Sequence, residues 1–125
     1  MKLKGEISKR GQAIVELAIV FSLFVIIILV IFDLGRVVYF YSAIHNAAQE
    51  GARHGITDPD QARIIEAARH LAAGLAIDPI VDLSDSDKVT VRIEYQFSPA
   101  TPVLRILTGS DTITLVSQAT MYREK

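Results

Sequence analysis

Ala13–Phe32 reads AIVELAIVFSLFVIIILVIF. As a helix these residues extend about 30 Å, the thickness of a bilayer's hydrocarbon core. Glu16 is the single charge in the run. A carboxylate at such a position costs on the order of 2–4 kcal/mol in lipid, so it calls for a function and a partner. Immediately upstream stand Lys9, Arg10 and Gly11, with Glu16 five residues after the glycine. A cleaved secretory signal would have a shorter apolar core and a small-residue site after it. This run instead ends in Phe32-Asp33-Leu34.

Charge is polarised about the run. The chain has 13 basic and 14 acidic residues over 125 positions. Residues 1–11 hold four basic residues and one acidic residue, Glu6, which leaves nine and thirteen for the remainder. A basic segment beside an apolar span stays on the cytoplasmic side, so one span is expected, with the acidic part outside. Without residues 1–11 no basic stripe remains, and nucleic acid is not an expected partner. The chain has no cysteine, which removes disulfides and thiol chemistry.

The expected architecture is α+β. One long helix should run from about Gln12 to His54, about 65 Å. Its first half is apolar all round, and its second half carries Val37, Tyr41, Ile44, Ala48 and Gly51-Ala52 near helical spacing. Ala43, Ala47, Gly51 and Gly55 form a column of small residues that admits a close neighbour. Gly55 is the expected stop. A second helix is expected with Asp58 as N-cap, Pro59 at its first position and Gly74 near its end. Its apolar face would be Ile65, Ala68, Leu71 or Ala72, and Leu75. The period then changes from 3.6 to 2. Val89, Val91, Ile93, Tyr95 and Phe97 alternate with polar residues, as do Ile113, Leu115, Ala119 and Met121. A shorter strand is expected over residues 80–83, and a helical turn near Val103–Leu107. The small antiparallel sheet needs a cover, and the two helices can supply it.

The order of basic pair, glycine, four uncharged residues, glutamate and apolar run resembles a type IV-type prepilin. Residues 11–53 are similar to the TadE-like family of minor pilins, or pseudopilins, of tight-adherence pilus systems. The likeness rests on the Gly11-to-Glu16 spacing, Asp33-Leu34-Gly35-Arg36, Tyr39-Phe40-Tyr41, Asn46-Ala47-Ala48 and Glu50-Gly51-Ala52-Arg53. The segment from Ser117 to Glu124 resembles the family's usual end. Ser22 stands where relatives often carry a proline.

The resemblance implies a leader over residues 1–11, a transmembrane segment over 12–33 and an exterior domain over 34–125. It implies a prepilin peptidase cutting between Gly11 and Gln12, with Lys9 and Arg10 marking the leader. Glu16 would pair with the new amine of Gln12 on an adjacent subunit, guiding assembly. Asp33, Arg36, Tyr39 and Tyr41 would lie at the membrane exit and interface. The implied partners are the membrane, the peptidase, other pilin subunits and the pilus or secretion machinery. An uncleaved single-span anchor that serves as an accessory assembly factor is the alternative.

No catalytic constellation is expected, and neither a cofactor, a metal nor a small-molecule substrate. His45, His54 and His70 have no recognised metal-ligand spacing. Ser84-Asp85-Ser86-Asp87 lacks the glycine and closing glutamate of an EF-hand loop and reads as a solvated turn.

Overall fold

The structure, a computed structural model, describes residues 3–72 and 74–123. Met1, Lys2 and Glu124, which enter the sequence reading, lie outside the described residues, as do the side chains of Lys4 and Glu6.

Helix α1 spans Leu3–Thr57 without a break, 55 residues and about 82 Å. It starts nine residues before the expected Gln12, because nothing upstream of Gly11 stops a helix. Gly11 itself costs a helix about 1 kcal/mol, too little to end it. Ser22 donates its hydroxyl to the Ala18 carbonyl at 2.8 Å. With no proline there, the helix needs no kink.

At its other end α1 passes through Gly55, the expected stop. Gly55 does not take up the left-handed conformation that ends many helices; among the described glycines only Gly74 and Gly109 have positive φ. Its role is packing. A Cβ at Gly55 would lie 2.7 Å from Val89 Cγ1 and 2.9 Å from Ile64 Cδ1, and one at Gly51 3.2 Å from Ala68 Cβ. The small-residue column therefore receives helix α2, Gln61–Leu71, and the central strand. The last turn of α1 is closed by the Asp58 N–H on the His54 carbonyl at 3.0 Å. Arg123 donates to the Gly55 carbonyl at 3.4 Å, a favourable place for a cation at the negative end of a helix.

The N-cap of α2 is Asp60, whose carboxylate accepts the Ala62 N–H at 3.0 Å. Asp58, the expected cap, lies two residues upstream in the connecting turn. It accepts the Asp60 N–H at 3.2 Å and the Arg63 guanidinium at 2.7 Å. The Asp60 N–H, then Arg63, hold its carboxyl below the usual range despite some desolvation. The buried face of α2 is correspondingly Ile64, Ala68 and Ala72. Ile65 is half-buried and Leu71 exposed.

Strands β1 (Ile80–Asp82), β2 (Lys88–Phe97) and β3 (Ile113–Tyr122) form an antiparallel sheet in that order. Phe97 lies opposite Ile113 and Lys88 opposite Tyr122. The expected alternation holds: Val89, Val91, Ile93 and Phe97 are buried, with Ile44, Ala47, Ala48 and Ala52 of α1 and Ile64 of α2. The larger of these side chains each contribute about 1.5–3 kcal/mol on burial. The β2–β3 link contains helix α3, Pro102–Thr108, longer than the single turn expected there. In the turn before β2, Asp82 accepts the Ser84 N–H at 2.9 Å, and Asp85 accepts the Asp87 N–H at 3.1 Å.

Two glycine substitutions should move stability in opposite directions. Gly55→Ala overfills the α1–α2–β2 contact and should lower stability by about 1 kcal/mol, overpacking outweighing the gain in helix propensity. Gly35→Ala meets nothing within 4 Å and should raise it by about 0.5–1 kcal/mol. Unfolding of the detergent-solubilised chain measures both, and equal gains would refute the close-packing role of Gly55.

Candidate functional site

The domain touches only the later part of α1. Val89, at the start of β2, packs beside Gly55. Phe97, at its end, lies under the Arg36 guanidinium, 5.1 Å from ring centre to Cζ. So β2 runs back along α1 toward the apolar run and stops near its end. The stretch before Asp33 is left with little cover. Ile14, Leu17, Phe21, Phe24 and Phe32 are all exposed. This stretch is long and apolar enough to cross a membrane, and it is a candidate span.

Lys9, Arg10, Gly11, Gln12 and Glu16 all lie exposed on this projecting helix. Gln12 and Glu16 are four residues apart, so they share a face one turn apart. Among the described residues Glu16 makes no hydrogen bond or ion pair. A Cβ at Gly11 would meet nothing within 4 Å. The residues on both sides of the Gly11–Gln12 peptide bond are thus exposed, and the bond sits in helical conformation.

Asp33, one residue past the run, is 1% exposed. Its carboxylate accepts the Thr101 N–H at 2.9 Å, the Thr101 hydroxyl at 2.5 Å and the Ala100 N–H at 3.2 Å. Arg36 adds an ion pair at 3.3 Å. Four donors converge on one buried carboxylate, and they join the end of the apolar run to the β2–β3 link. Arg36 also lies 5.8 Å above the Phe40 ring. Phe40 packs on Tyr95 and Phe97 at 5.3 and 5.7 Å. Arg36 is therefore held by a carboxylate and two rings, a favourable setting for a guanidinium.

Tyr39 and Tyr41 point elsewhere. Tyr39 is 70% exposed and meets Phe40 edge-on. Tyr41 stacks on His45, which bonds Ser117 of β3 at 3.1 Å. Asp33 and Arg36 are thus brought together, Glu16 and the Gly11–Gln12 bond stand apart on the projecting helix, and the two tyrosines sit on its surface beyond. Sequence reasoning gave Thr101 and Arg123 no role, and it read Phe97 only as part of a strand's apolar face. A threonine before Pro102 is a helix-start signal, but nothing local points from it to Asp33. Among the described residues, no group of three or more His, Asp or Glu side chains could hold a metal ion.

A sequence model of the family described as "TadE-like protein" matches residues 11–53, about a third of the chain. The match begins at Gly11 and ends within the last turns of α1. It suggests a protein associated with the tight-adherence pilus. No curated protein and no solved structure gave a match to the chain.

Proposed function

We propose that this chain is a minor pilin or pseudopilin of a tight-adherence pilus or related secretion apparatus. It is inserted by α1, trimmed by a prepilin peptidase and assembled through the same helix. One observation carries the reading. A small α+β domain leaves the apolar run of α1 uncovered, and that run, residues 13–32, has one carboxylate, Glu16, four residues from Gln12. A simple anchor would have no use for Glu16 in that position.

On this reading residues 1–11 lie in the cytoplasm, and Lys9 and Arg10 hold them there. The domain is then on the far side of the cytoplasmic membrane. Glycine at position 11 presents no side chain to obstruct an enzyme. It also favours the local unwinding that a helical bond needs before it can be cut. Cutting after Gly11 would place a cationic amine on Gln12. Other pilin subunits and the assembly machinery are the partners.

N-terminal sequencing of the membrane-extracted protein tests the reading. The mature chain should begin at Gln12, and Gly11→Leu should leave the full-length chain inserted but uncut. A chain that keeps its leader beside an active peptidase would favour the uncleaved accessory factor. The same membranes test orientation. Protease added to spheroplasts should digest the domain, and full protection of it would reverse the topology.

A further inference from the structure

We propose that α3 is a second membrane contact, lying in the bilayer interface beside the exit of α1. This rests on the reading of α1 as a membrane span. The placement follows from the strand directions. β2 ends at Phe97 beside Arg36, β3 starts opposite it at Ile113, and the link 98–112 closes that end of the domain. The Asp33 carboxylate fixes the start of α3 at Thr101, one residue beyond the apolar run.

Here α3 carries Ile106 and Leu107, 79% and 73% exposed. Nothing among the described residues covers them. They are out of place on a free surface at the far end of a soluble domain. At the membrane end such side chains have a place, since the apolar run of α1 ends there with Phe32 and Leu34 also exposed. Arg105, exposed on the same helix beside Ile106, is a cation suited to lipid phosphates, and Asp111 is the acidic residue of the same link. Arg105 also donates to the Pro99 carbonyl at 3.1 Å, which steadies the link. Short amphipathic segments with this pairing of apolar and basic residues lie in the headgroup region. Two points of contact, α1 and α3, would fix the domain's tilt on the membrane and so the face it offers to an incoming subunit.

The chain has no tryptophan, so single-tryptophan variants report cleanly. Leu107→Trp, Tyr122→Trp and Phe24→Trp would each be placed in the full chain. Each would be reconstituted in vesicles of phosphatidylcholine and phosphatidylglycerol, with or without lipids brominated high on the acyl chain. Tyr122 is exposed at the opposite end of the sheet, and Phe24 lies within the span. Leu107→Trp should emit at short wavelength and lose about half its intensity to the brominated lipid, as a ring seated at the headgroup–acyl boundary must. Tyr122→Trp should stay unquenched. If Phe24→Trp is shielded from water while Leu107→Trp emits as in water, α3 is free and the proposal falls alone. A blue-shifted but unquenched Leu107→Trp would mean that another copy covers the patch, which also overturns it. A water-exposed Phe24→Trp would refute the membrane span itself and this proposal with it.

Discussion

Asp33→Ala is expected to destabilise the domain by about 2–4 kcal/mol. Four donors lose a buried acceptor, and buried donors left unpaired cost about 1–3 kcal/mol each where water cannot reach them. Breaking a fully buried ion pair costs about 3–5 kcal/mol. The expectation lies lower here because the Arg36 side chain is 44% exposed and can turn to water. Asp33→Asn keeps one carbonyl oxygen for the link and should lose roughly half as much. Denaturant unfolding of the detergent-solubilised chain measures both. The loss should be local first, so limited proteolysis should open the segment between Phe97 and Ile113 before the rest of the sheet. A loss under about 0.5 kcal/mol, typical of a surface substitution, would return Asp33 to a plain interfacial role.

The same contacts mark where the domain begins. Asp33 follows the apolar run directly and is bonded to residues 100 and 101. A fragment starting at Gly35 would lack this clamp. A fragment meant to fold alone should therefore include Asp33. The clamp also bears on function. Any force on the helix during assembly would reach the sheet first through Asp33–Thr101, then through the Arg36–Phe97 stack. These two contacts lie at the end of the domain nearest the projecting helix.

The strands were legible because alternation is local. Lys88 to Phe97 alternate over ten residues, and the burial of β2 follows that pattern. The long helix was legible from its apolar run and from the absence of proline before Pro59. Its ends were not. Gly55 has the chemistry of a stop, but its missing Cβ is used by Val89 and Ile64, which lie distant in sequence. The start of α2 offered two aspartates around Pro59, and either can cap. The choice of Asp60 places Asp58 against Arg63, and the buried face moves from Ile65 to Ile64. In the candidate site, Glu16 and the Gly11–Gln12 bond stood out because both depart from their surroundings in the sequence itself. The Asp33 clamp did not, since its partner is 68 positions away and no periodicity links the two.

Glu16→Ala is expected to abolish assembly and leave folding intact. The domain's first clamp to α1 is at Asp33, 17 residues along the helix, or about 25 Å. No hydrogen bond or ion pair among the described residues depends on Glu16, so stability and insertion should not fall. Insertion should improve, since a carboxylate costs on the order of 2–4 kcal/mol in hydrocarbon. When subunits pack helix on helix, the situation reverses. Within one chain Gln12 and Glu16 lie one turn apart, so an amine on Gln12 of a neighbour staggered along the axis can face Glu16. Both charges would then be withdrawn from water and lipid together. Removing the carboxylate leaves the amine unpaired, at about 3–5 kcal/mol per contact, or between a hundredfold and several thousandfold in each association step. A penalty repeated at successive contacts stops growth, so pilus yield and co-purification with other pilin subunits should fall to background. Glu16→Gln should fail nearly as badly, because it keeps the size but not the charge. Normal piliation by either variant, at normal membrane levels of the protein, would exclude the ion pair. The projecting helix would then act as an anchor, and the chain as an accessory factor that remains in the membrane.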